Sequence, residues 1–162
     1  MSLFENPEYH WRETFFVLFD ESRRPPADEI KSALECLGGN LEVADLRADQ
    51  DGRIESLTIY SPDDFAAMDV SCTTGEEVSE QVPELLKEVE PNIETDEEKS
   101  KFRQLTECTA RLDVFHFQHQ SGDAGEEPSE EFMDPGGLLV VLERLGEICN
   151  GVVVDPQSGG LM

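Results

Sequence analysis

Basic residues are scarce in this sequence. Four Lys and eight Arg stand against 37 Asp and Glu, which gives a formal net charge of −25 at pH 7. A field of this sign repels phosphate backbones and anionic lipids, so it excludes general binding to nucleic acids and to membrane surfaces. The acid excess indicates either a solvated, salt-adapted surface or recognition of a basic partner. Net charge affects solubility directly and says less about function, so a solvated, salt-adapted surface is favoured.

Long apolar runs are also missing, and no stretch approaches the roughly 20 residues that cross a bilayer. Met1–Pro7 has no basic region followed by an apolar stretch, so we expect no secretory signal. Cys36, Cys72, Cys108 and Cys149 lie far apart, and no pair has the short spacing of a zinc or redox site. We therefore expect reduced, structural thiols and a cytoplasmic protein.

The sequence lacks the glycine-rich patterns that hold phosphates. Its glycine pairs, at 38–39, 136–137 and 159–160, form neither of the two common nucleotide-binding motifs. Carboxylate pairs such as Asp63-Asp64 and Glu126-Glu127 are too frequent here to indicate general acid/base chemistry. The sequence therefore assigns no catalytic residue, no cofactor and no metal ligand.

Apolar residues, 38% of the chain with nine Phe, are numerous enough to bury the core of one domain. Alternating apolar positions predict strands, and apolar positions three and four apart predict helices, in the order β-α-β-β-β-α-α-β-α-β. The predicted strands cover residues 15–19, 41–46, 53–61, 66–73, 111–118 and 152–154. Capping-box spacing predicts helix starts at Thr74-Gly75-Glu76-Glu77, with Ser79 as a second possible cap, and at Thr95-Asp96-Glu97-Glu98.

Both ends of this order contain a β-α-β unit, and two such units resemble the pseudo-symmetric arrangement of a ferredoxin-like sandwich. We expect one α+β domain over residues 1–162, ferredoxin-like or an enlarged variant of that fold. It would be a two-layer sandwich of a mainly antiparallel sheet, of five or six strands, and three to four helices. Residues 1–13 are expected to form an N-terminal extension and residues 119–135 an acidic, mobile loop.

The stretch Asp49-Gln50-Asp51-Gly52 is similar to part of a calcium loop. With Gly52 as the sixth residue, however, the first and twelfth ligand positions fall on Arg47 and Thr58. A cation at the first position opposes binding, and the bidentate Glu of the twelfth is missing. The flanking segments are also predicted strands rather than helices. The pattern therefore predicts a hairpin turn, and Asp51→Ala is expected to leave any activity intact.

Two side-chain combinations suggest chemistry. His116 and His119 are three apart on a predicted strand and so point to opposite faces, which prevents them from holding one ion unless the strand ends between them. Cys72, with Asp69 and a His, could form a nucleophilic site, but the spacing does not require one, and a buried structural thiol is favoured. The only Trp, Trp11, has the neighbours of an interface anchor, although docking on the protein's own core is favoured.

Three functions are compatible with these observations. The first is a non-enzymatic interaction or regulatory domain that meets another protein or a second copy of itself, as in a homodimer. The second is a small-ligand sensor that binds between subunits or under residues 119–135. The third is an enzyme, for example a hydrolase, that uses Asp, His or Cys. They rank in this order because no motif supplies a nucleophile, metal or cofactor site. An exposed apolar sheet face or paired edge strands would favour the first. A deep pocket with converging polar groups would favour the second, and a His contact with Cys or a carboxylate in that pocket would favour the third.

Overall fold

The computed structural model describes residues 9–37, 41–61, 66–119 and 136–161. These ranges contain seven β-strands: β1 Tyr9–Phe19, β2 Glu42–Ala48, β3 Ile54–Ser61, β4 Ala66–Thr74, β5 Ala110–His119, β6 Val152–Asp155 and β7 Gly160–Leu161. They also contain four α-helices: α1 Ala27–Glu35, α2 Glu76–Val89, α3 Asp96–Leu105 and α4 Gly136–Cys149. None of these helices combines the length and apolar character needed to cross a lipid bilayer.

The seven strands form one sheet in the order β2-β3-β4-β5-β1-β6-β7. Every neighbouring pair is antiparallel, so β1 runs parallel to β4, and β5 runs parallel to β6. The predicted α+β class and antiparallel sheet are therefore confirmed. The predicted number of strands, five or six, was too low because it omitted β7. The two residues of β7 are too few to leave an alternating pattern in the sequence.

Helices cover both faces of the sheet. Val17 and Phe19 of β1 pack in one apolar cluster with α1 and α4, whereas Leu18 packs in a second cluster with α2 and α3. The prediction of two layers was therefore wrong, because α2 and α3 form a third layer. The reason is visible in the run Phe15–Phe19, which is apolar at every position and so lies buried on both faces of a central strand.

Strand β1 begins at Tyr9, six residues earlier than the sequence predicts. It pairs with β5 from Tyr9 opposite His119 to Phe19 opposite Ala110, with a register shift between Trp11 and Glu13. Residues 9–13 therefore belong to the central strand rather than to an extension. The exposed His10, Trp11 and Arg12 and the shift obscure the alternation there. The rest of the predicted extension, 1–8, and residues 120–135 of the predicted loop lie outside the described residues.

The Asp49–Gly52 stretch forms the turn between β2 and β3, as predicted. Asp49 Oδ1 accepts hydrogen bonds from the backbone N–H groups of Asp51 and Arg53, both at 2.9 Å. Its Oδ2 lies 2.9 Å from Nη2 of Arg24. Gly52 has a φ of 79°, which favours glycine. The carboxylate of Asp49 is thus occupied in closing the turn and tying it to the segment before α1.

The helix starts agree only in part with the sequence. Thr95 caps α3 as predicted, since its Oγ1 accepts a hydrogen bond from the backbone N–H of Glu98 at 3.1 Å. The cap predicted at Thr74 for α2 is wrong. Gly75 occupies the N-cap position of that helix with a φ of 90° and makes no side-chain cap. The conformation at Gly75, rather than a hydroxyl, therefore starts α2.

Candidate functional site

A cleft of about 390 Å³ lies between helix α2 and the sheet, and we call it the α2 cleft. Its apolar lining comes from β1, α2 and the turn after β6: Phe16, Leu18, Val78, Val82, Leu85 and Pro156. Its polar lining consists of Gln81, Glu84, Glu88 and Arg111. The volume falls within the range of small-molecule pockets, and the lining combines six apolar residues with four polar or charged ones.

The helix side of the α2 cleft is acidic. Glu84 and Glu88 line it directly, and Glu77 lies one turn before Gln81 on the same helix face, because residues three and four apart are neighbours on a helix. All three carboxylates are on exposed residues, and they extend along about 16 Å of helix. Lys87, the one base of α2, is not among the lining residues. We call Glu77, Glu84 and Glu88 the acidic rim of the cleft. This rim attracts cations and repels anions.

Arg111 of β5 provides the cation that lines the cleft. Its Cζ lies 4.5 Å from the centroid of the Phe16 ring. Its Nε lies 2.5 Å from Oδ1 of Asp113, and its Nη1 donates a hydrogen bond to Oε1 of Gln81. The side chains of Arg111 and Asp113 are each only 14% exposed. The guanidinium is thus held on three sides, by a ring, a carboxylate and an amide.

The position of Arg111 follows from the register of the sheet. Arg111 is opposite Leu18 on β1, and Asp113 is opposite Phe16. Arg111 and Asp113 are two apart on one strand and so share a face, while Phe16 is the diagonal neighbour of Arg111. Burial raises the pKa of Asp113 above its ordinary 3.8 and outweighs the opposing effect of Arg111. The nearby Glu77 adds to that rise. Arg111 and Asp113 therefore neutralise each other closely, and Glu77 adds negative charge beside the pair.

One end of the α2 cleft is closed by the turn that joins β6 and β7. Pro156 lines the cleft from this turn. Asn92, just beyond α2, offers its Nδ2 hydrogens to three backbone oxygens, those of Glu88 at 3.2 Å, Ser158 at 3.2 Å and Gly159 at 3.3 Å. The turn is therefore fastened to the end of the helix.

The sheet face beside the cleft is mixed in character. Thr58 Oγ1 donates to Asp69 Oδ1 at 2.7 Å across β3 and β4. Phe117 is buried in a small aromatic cluster, in which the rings of Tyr9 and Tyr60 lie 6.1 Å apart. The face is thus not an exposed apolar surface of the kind that pairs with a second sheet.

The edges of the sheet are poorly suited to adding a strand from a partner. Edge strand β2 has a register shift between Ala44 and Arg47, and Asp45 within it has a φ of 49°. Glu42, Asp45 and Arg47 are exposed along it. The other edge, β7, has two residues. Irregular, charged and very short edges resist pairing with another chain.

The structure separates the residues that the sequence suggested as chemical groups. His116 lies on the face of β5 that packs against α1 and α4, and its Nδ1 is 3.4 Å from Oε1 of Glu13. This carboxyl–His contact is therefore not part of the α2 cleft. Cys72 and Asp69 are three apart on β4, so they lie on opposite faces and cannot act together. The side chain of His119 lies outside the described part of the chain.

The four thiols are free, and three of them are poorly reactive. All four cysteines lie in described ranges, and none forms a disulfide there. Burial raises the pKa of Cys72 and of Cys108 to about 11 and that of Cys149 to about 12. Because the thiolate is the nucleophile, these three thiols are poor nucleophiles near neutral pH. Cys36 is the exposed one.

Trp11 has features of both predicted roles, an interface anchor and a residue of a segment that docks on the protein's own core. Its segment does join the sheet, yet its side chain is 50% exposed and its Nε1 donates to Thr14 Oγ1 at 3.0 Å. Trp11 is opposite Phe117, and so lies on the same face as the α2 cleft. Its segment docks on the core, while the ring remains accessible.

Sequence reasoning missed the arrangement around Arg111. The pattern of β5 correctly places Asp113, Phe115 and Phe117 on one face, and Arg111 belongs to the same row. A base in a strand of a chain with 12 bases in all is a usable signal, because burial of its charge requires a partner. The contacts with Phe16 and Gln81 depend on the order of the strands and on α2, neither of which the sequence pattern contains.

No family model, curated protein or solved structure matches this chain. The function is therefore argued from the geometry of the α2 cleft itself.

Proposed function

We propose that this chain is a non-enzymatic protein-interaction module that binds a basic, amphipathic segment of a partner protein in the α2 cleft. The observation that carries the proposal is the division of the cleft into an apolar floor and an acidic rim, whose lining cation, Arg111, is already neutralised by Asp113. Apolar side chains of the partner would fill the floor, and its Lys or Arg side chains would pair with Glu84 and Glu88. A net charge of −25 would steer such a partner toward the protein.

Charge argues against a second copy of this chain as the occupant. Two chains that each carry −25 repel one another, and the acidic rim of the cleft would meet an equally acidic surface. The irregular and short edges of the sheet also remove the simplest route to a dimer. A basic partner is therefore favoured over self-association. The proposed interaction would take place in the cytoplasm, where thiols stay reduced, and the four free thiols are compatible with that location.

The scaffold of the proposed module is a ferredoxin-like core with additions. Strands β4-β5-β1-β6 are consecutive in the sheet, β5 and β6 flank β1, and α1 and α4 pack on one face. In this interpretation the β2–β3 hairpin, the α2–α3 layer and β7 are additions, and the α2 cleft lies where one addition meets the core. Native-state hydrogen exchange should then leave amides of β1, β4, β5 and β6 as the slowest. Equal protection in β2 would contradict this division.

The binding proposal is tested with a synthetic peptide that, as a helix, carries Leu on one face and Arg on the other. Fluorescence anisotropy should show binding that weakens as NaCl is raised, and a peptide with Glu in place of Arg should not bind. Glu84→Gln with Glu88→Gln should weaken binding roughly three- to ten-fold, because exposed charge pairs contribute about 0.2–1 kcal/mol each.

The matched control removes the same charge from the opposite face. Glu35 on α1 and Glu143 on α4 are both exposed, and these helices pack on the other side of the sheet. Glu35→Gln with Glu143→Gln should change binding by less than about two-fold, an effect of general field alone. If both double variants weakened binding equally, the cleft would not be the site.

A small-ligand sensor is the second candidate, and the volume of the cleft favours it. The ligand would be an amphipathic amine rather than an anion, since Glu84 and Glu88 border the pocket. Binding of a short alkylamine with an affinity equal to that of the peptide would favour this candidate. A peptide preference of a hundred-fold or more would favour the interaction module.

A further inference from the structure

Three groups surround the guanidinium of Arg111, and together they form a complete site for a guanidinium. The Phe16 ring offers a face at 4.5 Å, Asp113 offers two oxygens at 2.5 Å and 3.4 Å, and Gln81 offers an amide oxygen. An aromatic face and a bidentate carboxylate are the groups that distinguish a planar guanidinium from a compact ammonium. We call Phe16, Asp113 and Gln81 the guanidinium site.

The guanidinium site belongs to the α2 cleft. Phe16, Gln81 and Arg111 all line the cleft, and Asp113 is beside them on β5. A partner segment that enters past Glu84 and Glu88 would therefore meet Arg111 on the floor. Because Asp113 already neutralises Arg111, what Arg111 withholds from that segment is its place beside Phe16, Asp113 and Gln81.

We infer that Arg111 is an internal competitor: it occupies a guanidinium site that receives an arginine side chain of the partner when Arg111 swings out. This inference rests on the proposed function and adds its specificity, a preference for Arg over Lys, and its regulation, an autoinhibitory contact. Each bound arginine exchanges one guanidinium for another on the same ring, carboxylate and amide, so the exchange leaves Asp113 paired.

The experiment compares two peptides, one with Arg and one with Lys at the same positions, on the full chain by isothermal titration calorimetry. Arg111→Met keeps an apolar side chain of similar length but removes the guanidinium, which leaves Phe16, Asp113 and Gln81 without their internal occupant. It should bind the Arg peptide about five-fold or more tightly than the wild type, the size expected for one cation–π contact with a desolvated ring. The Lys peptide should gain less. Arg111→Lys, which holds the carboxylate less well, should fall between the two proteins.

Two further measurements keep the test decisive. Phe16→Leu combined with Arg111→Met should reduce the preference for Arg relative to Arg111→Met alone, because the ring is lost while the carboxylate of Asp113 remains. Thermal melting identifies any variant that fails to fold. If Arg111→Met does not fold, the tighter binding expected of Arg111→Lys decides the question.

The outcomes separate the inference from the proposed function. If the wild type binds both peptides, Glu84→Gln with Glu88→Gln weakens them, and Arg111→Met binds no more tightly, the inference is wrong and the proposed function stands. If no protein binds either peptide at low salt, the proposed function is wrong and the inference falls with it.

Discussion

The backbone of Gly159 approaches the carbonyl oxygen of Glu88 so closely that a Cβ atom at residue 159 would lie 2.6 Å from it. Gly159 also has a φ of 72°, and it precedes β7 in the turn that closes the α2 cleft. Two costs therefore fall on one position, left-handed backbone strain and a contact with the main chain that cannot move aside.

Gly159→Ala should lower the free energy of unfolding by about 2–4 kcal/mol, since strain at positive φ alone costs about 1–3 kcal/mol. Urea denaturation measures the change. Gly52→Ala is the control, because Gly52 has a φ of 79° but nothing within 4 Å of an added Cβ. It should lose only about 1 kcal/mol. Equal losses would mean that the contact with Glu88 adds nothing.

The pKa of Asp113 is raised, chiefly by burial, so its ionised form opposes folding. Its contribution to stability is fully present below the ordinary pKa of 3.8 and is lost as the pH rises through the raised value. The stability of the wild type relative to Asp113→Asn should therefore fall as the pH increases across that window. Chemical denaturation of both proteins at a series of pH values measures this difference.

Asp49 is the control, because its pKa is shifted in the opposite direction from that of Asp113. A backbone hydrogen bond from Arg53 is the main cause that lowers its pKa below 3.8. Its contribution is present above 3.8 and is lost as the pH falls through the lowered value. Wild type relative to Asp49→Asn should thus lose stability on acidification. A common sign for the two aspartates would contradict the assignment of burial to one and hydrogen bonding to the other.

The four thiols should react in two classes with Ellman's reagent near neutral pH. Cys36 is exposed and should react within minutes, while Cys72, Cys108 and Cys149 have pKa values raised to about 11, 11 and 12 and should react only on unfolding. Cys36→Ser should remove the fast class, and guanidinium chloride should restore reaction of the other three. A second fast thiol in the native protein would show that the partly buried Cys72 is accessible to the reagent or that the site of Cys108 or Cys149 opens readily.

Salts should stabilise the protein by screening rather than by binding. The melting temperature should rise with NaCl, CaCl₂ and MgCl₂ alike at matched ionic strength, because a net charge of −25 repels itself. Asp49 is occupied by Arg24 and by two backbone N–H groups, so Asp51→Ala should not change this response. A rise at micromolar Ca²⁺ alone would reveal a cation site and reopen the interpretation of the acidic turn.

Local patterns predicted local structure well. The apolar run Phe15–Phe19 identified the central strand, and the Thr95 cap identified the start of α3, because each depends on residues close in sequence. The order of the strands depends on pairs such as Phe16 with Asp113, which are distant in sequence and leave no local signal. From the sequence, the site could be predicted only as a charged residue in a strand. The role of Arg111 depends on its contacts with Phe16 and Gln81, which are distant in sequence.

The position of β1 has a consequence for how the chain acquires its structure. Among the described strands, β1 precedes all others in the sequence, yet its neighbours in the sheet, β5 and β6, follow only at Ala110–His119 and Val152–Asp155. Contacts between such distant segments slow folding, because a large loop must close before any pair can form. Both edges of β1 therefore stay unpaired on the ribosome until β5 is made, and β1 is the segment for which a chaperone would be most useful.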